Sequence, residues 1–136
     1  MLRKTILTLL LCAGPVWAQN MTTAAEVRPI LEMTKGNWIA VREYDGRDLL
    51  YFTHIASFRC GVAQVEYRVN DGPAQLFGME PCYDDEASPN ALKLPSGELP
   101  YVGLPLGSVE QVEVTLTFDD GSTDTASYER AAIQIN

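Results

Sequence analysis

Residues 112–129 read VEVTLTFDDGSTDTASYE and carry the plainest structural signal in the chain. Apolar and polar residues alternate up to Phe118, which is the two-residue period of a β-strand with one face in a core and one face in water. Asp119-Asp120-Gly121 then has the composition of a tight turn, after which the chain returns. A hairpin centred on this turn pairs Val114 with Ala126.

A second hairpin is indicated earlier in the chain by Asn70-Asp71-Gly72. In a three-residue loop centred on the aspartate, the glycine takes the left-handed conformation that closes a type I turn with a bulge. This register places Val65 opposite Phe77 on one face of the hairpin.

The cysteine count agrees with that hairpin. Cys60 and Cys82 fall opposite each other in the same register, whereas Cys12 lies in the N-terminal stretch MLRKTILTLLLCAGPVWA, whose basic start and apolar run are typical of a cleaved signal peptide. An even number of cysteines in an exported chain favours a disulfide. A redox-active pair is the alternative, but the two residues do not form a C-x-x-C motif. We therefore predict one disulfide, which stabilises the fold by about 3 kcal/mol through loop entropy.

A third hairpin and a helix precede these elements. Asp45-Gly46 is a two-residue turn that pairs Val41 with Leu50, and we expect the returning strand to run on through Ile55. Before it, residues 23–26 have capping-box spacing and are followed by apolar residues at helical intervals. Pro29 either lies inside this helix or begins it.

The connection from Pro81 to Gly107 is irregular. It contains prolines at positions 81, 89, 95, 100 and 105, which interrupt any long helix or central strand. Within it, residues 101–104 have the composition of a short edge strand. We expect the remainder to be loop, which is where binding residues of rigid scaffolds are commonly found.

About seven short strands, three glycine-containing turns and a leading helix predict a mainly β protein, a small antiparallel β-sandwich with one short N-terminal helix. Residues 60–72, CGVAQVEYRVNDG, resemble the strand and turn of many immunoglobulin-like or fibronectin-type-III-like domains, and residues 112–129 resemble their closing hairpin. The resemblance covers roughly residues 38–136 and implies an immunoglobulin-like sandwich. As a whole, the chain is also similar to small secreted proteins of unassigned function from Gram-negative bacteria.

The chain begins with MLRKTILTLLLCAGPVWA, residues 1–18. Arg3 and Lys4 precede an apolar run that is too short to span a bilayer, and Val16-Trp17-Ala18 resembles a cleavage site. This order predicts a secretory signal peptide and a periplasmic or secreted protein that does not insert into a membrane once the signal is removed. We predict a loose segment and short helix over residues 19–36 and a single sandwich domain over residues 37–136.

The charge balance limits the class of partner. The 136 residues include 18 Asp and Glu but only 10 Lys and Arg, two of which lie in the leader. Binding to nucleic acid requires cationic groups that displace counterions from the phosphates. We therefore predict no nucleic-acid partner.

The sequence contains no established catalytic or cofactor motif. G-x-S-x-G, H-E-x-x-H and glycine-rich phosphate loops are all absent. His54 is the only histidine, and a single histidine without a free cysteine does not build a typical zinc site. We predict no catalytic, cofactor-binding or metal-binding residue, and we expect His54 to pack or hydrogen-bond locally.

The densest acidic run, Asp84-Asp85-Glu86, allows two alternatives. Together with Asp119, Asp120 or Asp124 it has the oxygen ligands that calcium requires, which corresponds to a calcium-dependent adhesion module. With His54 as a partner, Asp84 or Glu86 has the residue types of a small hydrolase or lyase.

The preferred hypothesis is an exported, non-enzymatic binding or structural module of the cell envelope that needs no cofactor. Two tyrosines flank the irregular connection, and aromatic side chains on a proline-stiffened loop stack on sugars or anchor protein partners. We predict that an envelope protein or a glycan binds there. The candidate partner surface consists of Tyr83, Asp84, Asp85, Glu86 and Tyr101.

Overall fold

The computed structural model describes residues 20–95 and 97–136, so the predicted signal peptide lies outside the described residues. Within these ranges the chain forms three short α-helices and eight strands. The helices are α1 (Ala24–Met33), α2 (Thr53–Ala56) and α3 (Arg130–Ile133). The strands are β1 (Ala40–Tyr44), β2 (Arg47–Tyr51), β3 (Val62–Val69), β4 (Gln75–Phe77), β5 (Tyr101–Pro105), β6 (Gln111–Phe118), β7 (Thr123–Glu129) and β8 (Gln134–Ile135).

The strands form two four-stranded sheets, with the orders β5-β2-β1-β8 and β4-β3-β6-β7. Neighbouring strands are antiparallel except β1 and β8, which are parallel. Apolar residues of both sheets and of α1 enclose one core, whose largest fully buried side chains include Trp38, Phe52, Phe118, Leu31 and Leu50. The predicted antiparallel β-sandwich with a short N-terminal helix is therefore confirmed. None of the described helices has the length and apolar character needed to cross a membrane.

The predicted strand registers are confirmed in all three hairpins. The structure pairs Val41 with Leu50, Val65 with Phe77, and Val114 with Ala126. These pairings follow from alternation, because a slip of one residue turns every apolar side chain of a strand towards water.

The turn of the second hairpin differs from the prediction. Asn70 and Asp71, rather than the following glycine, have positive φ angles of 52° and 58°, and the Gly72 N–H donates to the Val69 carbonyl over 2.8 Å. Asn and Asp tolerate this conformation better than most residues do. The glycine has a different role, since a Cβ atom at position 72 would lie 2.8 Å from the Val69 oxygen.

The expected extension of β2 through Ile55 is wrong. The strand ends at Tyr51, where the N–H of Phe52 donates to the Pro100 carbonyl over 2.7 Å, and α2 follows. Ile55 and Ala56 are both buried. The Ala56 N–H donates to the Phe52 carbonyl over 2.9 Å and the Ser57 N–H to the Thr53 carbonyl over 3.0 Å, which forms a helical turn in place of strand pairing.

The N-terminal helix α1 begins at the predicted capping box. The Glu26 N–H donates to the Thr23 hydroxyl oxygen over 3.3 Å, and that hydroxyl donates back to the Glu26 carboxylate over 2.9 Å. Pro29 lies inside the helix on its exposed side, whereas Val27 and Leu31 face the core. The helix packs closely against the chain before β3, because a Cβ atom on Gly61 would lie 2.3 Å from the Val27 side chain.

Candidate functional site

The predicted disulfide is confirmed. Cys60 and Cys82 are bonded, with their Cα atoms 5.0 Å apart. Cys60 lies in the 3-10 turn Arg59–Gly61 just before β3, and Cys82 lies beyond the end of β4. The bond therefore lies past the paired strands, where it ties the start of the β4–β5 connection, residues 78–100, to the sandwich.

Beside the disulfide, Arg59 is buried with only 3% of its surface exposed. Its guanidinium donates to main-chain oxygens from two parts of the chain, and almost all of them belong to the β4–β5 connection. The acceptors are Glu80 (2.9 Å), Pro81 (2.9 Å), Pro89 (3.4 Å), Asn90 (2.7 Å), Ala91 (2.9 Å) and, in α2, Ala56 (3.1 Å). One side chain thus holds several separate points of the connection in place.

Glu80 is the carboxylate partner of Arg59 and is also buried, at 7% exposure. The two charged groups approach to 3.6 Å. The carboxylate also accepts the main-chain N–H of Lys93 over 2.8 Å, the N–H of Leu94 over 3.0 Å and the Tyr83 hydroxyl over 3.0 Å. Burial by itself raises the pKa of Glu80, but these hydrogen bonds and the charge of Arg59 outweigh it, so the pKa is below its ordinary value. Glu80 is therefore held ionised.

The predicted partner surface is only partly brought together. Tyr83 is half-buried, with its ring 4.1 Å from the Lys93 ammonium and 5.3 Å from the Arg59 guanidinium. Asp84, Asp85 and Glu86 follow it on the exposed side, and Glu86 pairs with Lys93 over 2.7 Å. We refer to residues 83–86 as the acidic turn.

Tyr101 lies apart from the acidic turn. It begins β5, an edge strand of the other sheet, and its ring is 5.2 Å from that of Tyr51. In the part of the chain that the structure describes, no hydrogen bond or aromatic contact joins Tyr101 to residues 83–86. The two ends of the predicted surface are therefore separate features.

His54 is engaged locally. Its Nε2 atom is 2.8 Å from the Thr34 hydroxyl, and its ring packs edge-on against Phe58. The Thr34 hydroxyl donates its proton to the Ile30 carbonyl, so it accepts from Nε2–H of His54. Burial lowers the pKa of His54 below its ordinary value. No hydrogen bond or ion pair between His54 and Asp84 or Glu86 is present among the described residues.

Two of the remaining candidate calcium ligands, Asp120 and Asp124, have other partners. Asp120 accepts from Ser122 and from Arg28, the latter over 2.7 Å, while Asp124 pairs with Lys35 over 2.7 Å. Within residues 20–95 and 97–136, no group of three or more His, Cys, Asp or Glu side chains is arranged to hold a metal ion.

A second buried charge, Asp48 of β2, was also missed by the sequence reasoning. It is fully buried and accepts the main-chain N–H groups of Gly107 over 2.9 Å and Val109 over 3.0 Å. Arg130 of α3 contacts it over 2.6 Å and also donates to the Val109 carbonyl. These contacts fasten the β5–β6 connection and the C-terminal helix to the first sheet. No local pattern marked it, because Asp48 follows Arg47 at the start of β2, directly after the Asp45-Gly46 turn, where charged residues are normally solvated.

A scan of protein-family models finds none that matches the chain, and searches of curated proteins and of solved structures find no match either.

Removing the disulfide by the double substitution Cys60→Ala/Cys82→Ala will lower the free energy of unfolding by about 3 kcal/mol, because the bond closes a loop with a sequence separation of 22. Urea unfolding followed by circular dichroism measures the change. Reduction of the Cys60–Cys82 bond in the wild-type protein is the matched control and should lower the free energy of unfolding by a similar amount. Unchanged stability after both treatments would show that Arg59 and Glu80 alone fix the connection.

Proposed function

We propose that this protein is an exported, non-enzymatic binding module of the cell envelope that contacts a protein partner through the β4–β5 connection. The compartment rests on the signal-like leader and on the disulfide, since disulfides persist in oxidising compartments. The sandwich supplies a rigid support of the kind that immunoglobulin-like domains use to present loops.

The observation that carries the proposal is the buried attachment of this connection. A long loop without secondary structure normally samples many conformations, and ordering it on binding reduces affinity. Here Arg59, Glu80 and the disulfide hold its turns in one arrangement before any partner arrives. A binding loop ordered in advance loses little entropy on association.

The exposed side of the connection has the composition of a contact surface. Asp84 and Asp85 are exposed acids, while Leu94 and Leu99 expose 46% and 53% of their surface. Protein interfaces combine an apolar centre with a charged rim, and complementary charge directs the encounter. We infer that the partner presents lysines or arginines around an apolar contact.

The test compares two charge-reversal variants. Asp84→Lys/Asp85→Lys changes the acidic turn, and Glu110→Lys/Glu113→Lys makes the same change of charge at exposed residues elsewhere. The folded proteins, verified by circular dichroism, are used to retain proteins from an envelope extract. We expect the first variant to lose a protein that the wild type and the control variant both retain. Equal retention by all three proteins, or none by the wild type, overturns the proposal.

The same assay distinguishes the proposed binding module from the alternative hypothesis of a hydrolase or lyase that uses His54 with Asp84 or Glu86. A binding module that uses the β4–β5 connection should retain its partner after His54→Ala, because His54 contacts Thr34 and Phe58 rather than the acidic turn. Loss of partner retention in a folded His54→Ala protein would argue against the proposed surface.

A further inference from the structure

A groove of about 430 Å³ lies against β1 and β8. Its apolar lining includes Trp38 and Ile39 just before β1, Tyr51 at the end of β2, and Ile135 of β8. The volume falls within the range of about 300–1,000 Å³ that is typical of small-molecule sites. No residue of the β4–β5 connection lines it, so it is independent of the surface proposed above.

The floor of the groove is held in place. Trp38 is fully buried, and its indole N–H donates to the Leu31 carbonyl over 2.8 Å. On one side, the His54 ring is fixed by its hydrogen bond to Thr34. A ligand would therefore meet a preformed apolar surface, which reduces the entropy lost on binding.

The groove lacks the acidic side chains that are frequent in the rest of this protein. The sequence has 18 acidic residues, yet no Asp or Glu side chain lines the groove, where the charged groups are the Arg42 guanidinium and the terminal carboxylate of Asn136. In the described part of the chain, Arg42 forms no ion pair with a carboxylate. Its guanidinium lies 4.8 Å from the Tyr44 ring.

Four of the six arginines in the described residues are paired with carboxylates, namely Arg28, Arg59, Arg68 and Arg130. Of these six, Arg42 and Arg47 have no such pair, and of these two only Arg42 borders the groove. A guanidinium that borders an apolar surface and lacks an internal carboxylate partner favours an anionic ligand, because it binds a carboxylate through two parallel hydrogen bonds.

We propose that this groove binds a small amphipathic monocarboxylate, with its apolar body against Tyr51 and Ile135 and its carboxylate on Arg42. A single guanidinium matches one carboxylate, and the apolar lining matches an aromatic or aliphatic body. Binding of a carboxylate in this groove is a second function, separate from the proposed contact of the β4–β5 connection with an envelope protein.

The proposal is tested by titrating the full, isotope-labelled chain with 4-phenylbutyrate, octanoate and the neutral 4-phenylbutanamide. Amide and indole NMR shifts report where each probe binds. We expect saturable shifts at Trp38, Arg42 and His54 with at least one of the acids. Affinity for 4-phenylbutyrate should exceed that for its amide by about tenfold or more, since the charged hydrogen bonds are lost with the amide.

Two arginine variants make the test specific. Arg42→Gln should reduce the affinity for 4-phenylbutyrate to that of the amide, whereas the control Arg47→Gln, an exposed arginine outside the groove, should leave it unchanged. If Arg42→Gln does not fold, Arg42→Lys keeps the charge without the planar fork and should bind with intermediate affinity. Shifts confined to residues that do not line the groove, equal binding of acid and amide, or no saturable shift with either acid would overturn the proposal.

Discussion

Replacing Arg59 by methionine will lower the free energy of unfolding by about 3–5 kcal/mol, the range found when one partner of a buried ion pair is removed. The substitution leaves the Glu80 carboxylate buried without its counter-charge. It also removes every hydrogen bond that Arg59 donates to the β4–β5 connection. Urea unfolding measures the loss, and amide exchange at Lys93 and Leu94 should become faster because the connection loosens.

Arg68→Met is the matched control for this result. Arg68 is exposed on β3, and its closest carboxylate oxygen, on Glu66, is 3.9 Å away. Exposed ion pairs contribute about 0–1 kcal/mol, so the unfolding free energy of this variant should remain close to that of the wild type. The double variant Arg59→Met/Glu80→Leu should lose less free energy of unfolding than the two single variants lose together, because no buried charge is left unpaired. Strict additivity would contradict a coupled buried pair.

Replacing Asp48 by asparagine will lower the free energy of unfolding by about 3 kcal/mol at neutral pH, because the buried Arg130 contact loses its counter-charge. The effect depends on pH. The hydrogen bond from Arg130 holds the pKa of Asp48 well below its ordinary value of 3.8. Burial raises this pKa, but the hydrogen bonds from the Val109 and Gly107 N–H groups also lower it, and the lowering effects together outweigh burial. A lowered folded-state pKa adds stability above the pKa of the unfolded chain, and that stability is lost as the pH falls further.

The difference in unfolding free energy between wild type and Asp48→Asn should therefore be largest near pH 6 and narrow below about pH 4, near the pKa of an unfolded aspartate. Urea unfolding at a series of pH values measures it. Asp71→Asn is the control, because Asp71 is exposed on a turn whose φ of 58° asparagine also accepts. A constant difference across this pH range would show that Asp48 is not stabilised as an ion.

Much of the scaffold could be predicted from local patterns. Alternation in β6 and the turn residues after it set the register of the third hairpin, and the same reasoning paired Cys60 with Cys82. Register is readable in this way because the side-chain period of a strand is two and each turn type has characteristic residues. The reasoning was wrong where neighbouring residues allowed two local structures, as at α2 and at Asn70-Asp71.

The candidate site was less predictable. The irregular connection could be located from its prolines, but the residues that fix it were overlooked, although Arg59 and Glu80 flank the two cysteines in sequence. Charged residues are usually solvated, and nothing in the sequence pattern marks these two as buried. Their role depends on carbonyl groups of residues 80–91, which only the folded loop brings together.

By itself, the sequence determined the class of fold, the registers of the three hairpins and the disulfide, because each depends on the spacing of residue types along the chain. Only the tertiary structure decided that Arg59 pairs with Glu80 and that Asp48 pairs with Arg130. It also decided that Arg42 borders the apolar groove without forming an ion pair. The physical reason is that burial and pairing of a charge are set by distant segments that pack around it, whereas alternation and turn formation are set by neighbouring residues.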